Sequence, residues 1–139
     1  MRPILLLRIA LVMLVLFLVG HTIGALSEAS RGPEEAAVFT AMQTYRFDIM
    51  GVTRTHADFY QGLGLYLSAA LAIFVWLTAV ISGVARRDPA TARPMVIAMA
   101  VGMTGMAALS WVYFFPAPAV MSTVAAVCFA GAYIGLPGD

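Results

Sequence analysis

Four stretches of this chain, Ile4–Leu26, Phe59–Val84, Met95–Phe115 and Ala119–Leu136, run for about the length of a membrane span with almost no charge. An α-helix rises about 1.5 Å per residue, so roughly 20 residues cover a hydrocarbon core of about 30 Å. In such a medium each backbone N–H and C=O must be satisfied within its own segment, and runs that lack the alternation of a barrel strand should be helical. Charged residues make up only 11% of the 139 positions, with no lysine, against about 25% in soluble domains. That supply cannot cover a water-exposed surface. The expected fold is an all-α membrane protein, a four-transmembrane-helix bundle forming a single domain over residues 1–139.

Arginine placement predicts the orientation. Arg2 and Arg8 flank the first span, and Arg86, Arg87 and Arg93 fill the link between the second and third, so both ends of the chain should be cytoplasmic. Arg2 and Arg8 before an apolar run, with Ala25-Leu26-Ser27 after it, also have the outline of a secretory signal. The run exceeds a usual signal core and carries His21 and Thr22, so its retention as the first helix is expected. In the outer loop, Gly32, Pro33, Glu34 and Glu35 form a helix start. Val38, Met42, Tyr45 and Ile49 then repeat at helical spacing, which predicts an interfacial helix over 33–49 lying across the bundle as a lid. Met50-Gly51-Val52-Thr53 is the expected bend. Thr55-His-Ala-Asp58 has capping-box spacing and should open the second span. Pro116-Ala117-Pro118 is the expected tight turn between the last two spans, and Trp111, Tyr113, Phe114 and Phe115 before it suit an aromatic belt.

The net charge of +1 gives no electrostatic basis for nucleic-acid binding. The lone Cys128 excludes an intrachain disulfide and reads as a small buried hydrophobe. Chemistry, if present, is concentrated in 46–62. Arg46, Asp48, Arg54, His56 and Asp58 read either as an ordinary ion-pair network or as a site, with His56 as acid or base, Asp58 orienting it or acting itself, and an arginine recognising a carboxylate, phosphate or carbonyl oxygen. His21 falls about 20 Å along the axis from Arg8, at a depth where an ionisable group should face protein. It reads as a third catalytic candidate or as a neutral histidine pinning the lid. Asp58, Gln61, Leu65, Ser68 and Ala72, with Gly62 and Ala69 beside them, form a polar-to-small stripe, suited to close helix packing or to lining a crevice that opens outward beneath the lid. Arg46, Asp48, Arg54, Tyr60, Gln61 and Gly62 are the candidate ligand-binding residues. No cofactor or metal is expected. The alternative is b-type haem between His21 and His56. The stripe Met95, Met99, Met103 and Met106 suggests flexible core packing before it suggests copper.

The run His21-Thr22-Ile23-Gly24, then Ala41-Met42, Arg46-Phe47, Met50-Gly51, Arg54-Thr55 and Ala57-Asp58-Phe59-Tyr60-Gln61-Gly62-Leu63-Gly64-Leu65, resembles an uncharacterised family of short bacterial integral membrane proteins named after a leptospiral locus. The resemblance covers about the first half of the chain. It implies four spans in a bacterial inner membrane and implies no activity, substrate or cofactor. The expected function is therefore binding of a lipophilic small molecule, a membrane-protein partner or a second copy at the outer corner, with the lipid bilayer as constant partner. The alternative is an acid–base enzyme acting on an isoprenoid, sterol-like or quinone substrate.

Overall fold

A computed structural model describes residues 3–27 and 32–137. Arg2, which entered the charge pattern, lies outside the described residues. The elements run α1 (Pro3–Leu26), α2 (Pro33–Thr44), β1 (Arg46–Ile49), β2 (Val52–Thr55), α3 (His56–Arg87), α4 (Pro89–Tyr113) and α5 (Pro116–Gly135). The helices α1, α3, α4 and α5, of 24, 32, 25 and 20 residues, are long and apolar enough to cross a membrane.

Three boundaries differ from expectation for local reasons. α4 begins at Pro89 and not at Met95, because Asp88 caps it: the carboxylate accepts from the Thr91 N–H at 3.1 Å and from the Thr91 hydroxyl at 2.6 Å. These bonds hold the Asp88 carboxyl below the usual carboxylate range. Pro94 lies inside the helix, one turn past its start, where it gives no backbone hydrogen bond of its own. Secondly, Pro116 and Pro118 belong to the first turn of α5, with the chain reversing at Phe114 and Phe115. A proline suits that place because its fixed φ is already helical and the first N–H groups have no intrahelical partner. Thirdly, α2 stops at Thr44, where Tyr45 turns extended (φ −71°, ψ 116°), so the helix predicted over 33–49 is shorter and a hairpin takes the rest.

The chain divides into two compact units, Gly20–Ala69 and the remainder, Met1–Val19 with Ala70–Asp139. In the larger unit, buried residues from all four long helices form one apolar cluster, among them Leu7, Leu14, Ile81, Val96, Met103 and Phe129. Alanines 10, 85, 92, 100, 125, 126 and 132 fill the rest of it, as expected where small residues let helices approach closely. A Cβ on Gly131 would meet Leu6 Cδ1 at 3.0 Å. Buried hydroxyls bond back to their own helix, Thr78 to the Phe74 carbonyl and Ser82 to the Thr78 carbonyl, each at 2.7 Å. Of the methionine stripe, Met99 and Met103 are core residues, Met106 packs partly buried against them and Met95 is exposed; Cys128 is buried, as the sequence suggests. At one end Arg93 lies 4.4 Å over the Tyr133 ring; elsewhere the Trp111 indole donates to the Thr123 hydroxyl at 3.0 Å. The outward faces are as apolar as the core: Val12, Leu16, Ile73, Trp76, Val101, Val112, Val127 and Ile134 are all exposed. A helix apolar on every side suits hydrocarbon and not water.

In the smaller unit, β1 and β2 pair antiparallel with Arg46 opposite Thr55, Phe47 opposite Arg54, Asp48 opposite Thr53 and Ile49 opposite Val52. That register leaves a two-residue turn, Met50-Gly51, with φ of 53° and 81°. Positive φ at both positions is the requirement of a type I′ hairpin turn, whose twist matches the strands. The expected bend is thus narrower by two residues, since Val52 and Thr53 belong to β2.

Candidate functional site

The entrance to α3 is built as its sequence predicts. The Thr55 N–H donates to Asp58 Oδ2 at 2.8 Å, and the Asp58 N–H donates to Thr55 Oγ1 at 3.1 Å. This reciprocal capping box satisfies backbone donors that would otherwise be orphaned. Asp58 therefore has a structural task, while its Oδ1 takes no hydrogen bond among the described residues.

His56 follows the cap and clusters with two aromatic rings, its centroid 5.5 Å from Tyr45 and 5.1 Å from Phe47, which lie 6.4 Å from each other. Phe47 in turn lies 5.5 Å from Phe59. Among the described residues the His56 imidazole makes these ring contacts and no hydrogen bond. Beside it an open groove of about 460 Å³ is lined by Val38, Ala41 and Met42 of α2, by Tyr45 just past its end, and by His56. A second shallow groove, of about 290 Å³, runs along α3 between Arg54, Asp58, Phe59, Gly62, Leu63 and Tyr66. Gly62 leaves its floor open, since a Cβ there would meet nothing within 4 Å.

His21 is placed elsewhere. Its Nε2 is 2.9 Å from the Gly64 carbonyl, a distance at which the ring N–H donates to that oxygen. The same carbonyl accepts from the Ser68 hydroxyl at 3.2 Å, and that hydroxyl accepts from Thr22 at 3.0 Å. A Cβ on Gly64 would lie 3.2 Å from Ala25 Cβ, so the small residue permits the close approach of α1 and α3 on which these bonds depend. Gly64 is eight residues beyond His56, about 12 Å along the helix axis. The structure therefore sets His56 and Asp58 in the first turn of α3, at different grooves, and engages His21 in a helix–helix seam with α3. Of the stripe expected to pack or line a crevice, only Ser68 is buried; Asp58, Gln61, Leu65 and Ala72 are exposed. The packed edge passes through Gly64 and Ser68.

The charged hairpin residues are spread along the strands. Asp48 accepts from the Thr53 hydroxyl across the ladder at 2.6 Å, and Arg54 Nη1 donates to its neighbour's carbonyl, Thr53 O, at 2.9 Å. Among the described residues Arg46, Asp48, Arg54 and Asp58 form no ion pair with one another. Tyr60 meets Phe39 edge-on at 6.1 Å, and Gln61 is exposed. No three His, Cys, Asp or Glu side chains among the described residues come together as a metal would need. Val38, Met42, Tyr45, Phe47, Leu63 and Tyr66 were not among the expected site residues. The helical repeat of 38, 42 and 45 was the available signal; Phe47 and Tyr66 had none, because strand pairing and the groove decide their role.

Chain and site together define a helical protein with four helices long and apolar enough to span a membrane, and a compact unit carrying two open, largely apolar grooves. No protein-family model, curated protein or solved structure matches it.

Proposed function

We propose that the chain is a four-span bundle of a bacterial inner membrane with both ends cytoplasmic, and that its Gly20–Ala69 unit binds a lipophilic small molecule or a membrane partner on the outer side. The arginines at 8, 86, 87 and 93 support the orientation. The resemblance of the first half of the chain to short bacterial membrane proteins supports the span count. Val38, Ala41 and Met42 of α2 offer an apolar strip beside Tyr45, which follows the helix.

The observation that carries binding is the pair of open grooves flanking the α3 capping box. They are rimmed by exposed aromatic and aliphatic side chains, while Asp58 serves as a cap and His21 is bonded within a seam. The test is a visible absorption spectrum and a native mass spectrum of protein purified in mild detergent from its own host. A discrete bound lipophile or second polypeptide, lost when Gly62 is replaced by leucine, supports the proposal. Bare protein in every mild detergent refutes it. A Soret band would instead establish haem.

A second reading has one observation in its favour. Among the described residues the His56 imidazole makes no hydrogen bond, and it borders the larger groove, as an acid–base group of a membrane enzyme would. It predicts turnover of an isoprenoid, sterol-like or quinone lipid that His56→Ala abolishes while the fold survives. Equal turnover by wild type and variant in lipid extracts refutes it.

A further inference from the structure

Given a lipophile-binding corner, as proposed above, we infer that the groove along α3 takes an amine-bearing zwitterionic phospholipid, with its phosphate on Arg54, its ammonium on Asp58 and its acyl chain over Gly62. Arg54 and Asp58 stand at the head of this groove with opposite charges, yet they do not close on each other as an ion pair. Each keeps unused capacity. Arg54 commits Nη1 to the Thr53 carbonyl, and a guanidinium has five N–H donors in a fork that matches phosphate oxygens. Asp58 commits Oδ2 to the cap and leaves Oδ1 unbonded among the described residues. A headgroup carrying an anion and a cation a few ångströms apart satisfies both ends. A purely anionic headgroup would bring its phosphate against the Asp58 carboxylate, and a quaternary ammonium has no N–H to donate to it.

Beyond the charged pair the lining becomes apolar. Arg54, Asp58, Gly62 and Tyr66 recur at intervals of four, with Phe59 and Leu63 beside them. That spacing places Asp58, Gly62 and Tyr66 along one side of α3, and Arg54 reaches the groove from the end of β2. Phe59, Leu63 and Tyr66 are 46, 68 and 77% exposed, which in an apolar medium makes them contact surface for a chain. Gly62 removes the side chain that would otherwise fill the trough.

The experiment reconstitutes the full-length protein in bilayers of equal parts phosphatidylethanolamine, phosphatidylcholine and phosphatidylglycerol, then identifies retained lipid by native mass spectrometry. Wild type should retain phosphatidylethanolamine several-fold over the other two. Asp58→Asn, whose side-chain oxygen can still accept from the Thr55 N–H, should lose the preference over phosphatidylcholine while keeping its fold. Arg54→Gln should lose all three lipids, and Gly62→Leu should exclude them without a clash. Equal retention of the three lipids by wild type, or an unchanged preference in Asp58→Asn, overturns the inference. If another lipophile or a polypeptide is then still displaced by Gly62→Leu, the binding corner stands and only the headgroup assignment falls.

Discussion

Gly62 and Gly64 sit two residues apart on α3, yet a methyl group meets opposite surroundings at the two positions. On Gly64 it lies 3.2 Å from Ala25 Cβ, and on Gly62 it meets nothing within 4 Å. Carbon atoms pack best at about 3.5–4.0 Å. Because Ala25 Cβ is fixed to its own backbone, Gly64→Ala must move α1 and α3 apart by a few tenths of an ångström. The same seam holds the His21–Gly64 bond at 2.9 Å and the Thr22–Ser68 bond at 3.0 Å, and interhelical bonds of this kind contribute about 0.6 kcal/mol each on average. Overpacking typically costs about 1–3 kcal/mol, whereas Gly→Ala inside a helix gains about 1 kcal/mol of propensity at either site. Propensity cancels between the two variants, so Gly64→Ala should be less stable than Gly62→Ala by about 1–3 kcal/mol. Gly62→Ala itself should match or exceed wild type. Reversible unfolding in mixed micelles of rising sodium dodecyl sulfate fraction measures all three proteins on one scale. Equal stability of the two alanine variants would refute a tight α1–α3 seam.

Further outcomes follow from the same structure. His21→Ala should destabilise the seam by about 1 kcal/mol, and His21→Gln, which restores an N–H donor, should recover part of it in the same unfolding assay; no recovery would mean that packing and not the hydrogen bond matters. Met50 holds φ 53° at a turn position that favours asparagine or glycine, so Met50→Asn should stabilise the hairpin by about 1 kcal/mol, read as slower amide exchange across 46–55. Asp88→Ala should destabilise the start of α4 at neutral pH. Because the folded-state pKa of Asp88 is depressed, its contribution is full above the ordinary carboxylate value and disappears as pH falls through the lower folded value. The gap between Asp88→Ala and wild type should therefore close under acid; a gap that persists there would contradict the capping role. Thr55→Val removes the acceptor for the Asp58 N–H and should cost about 0.5–2 kcal/mol, with fraying confined to the first turn of α3.

What the sequence determined was local. Apolar length alone marked the long helices, since a run of about 20 residues with no charge has few other places to go. Thr55 and Asp58 announced the start of α3 because a capping box needs only residues three apart. Partners distant in sequence decided the rest. Tyr45 to Ile49 continued a helical repeat, yet pairing of Arg46–Ile49 with Val52–Thr55 made it a strand, an outcome that depends on the facing segment and on a turn with positive φ. The polar stripe from Asp58 to Ala72 looked like the packing edge of its helix; the edge that packs runs through Gly64 and Ser68, because Ala25 and His21 arrive there from α1. Spacing within one segment gives a helix its faces. Only the chain that comes against it settles which face is covered, and so which polar groups are spent on structure and which stay open at the grooves.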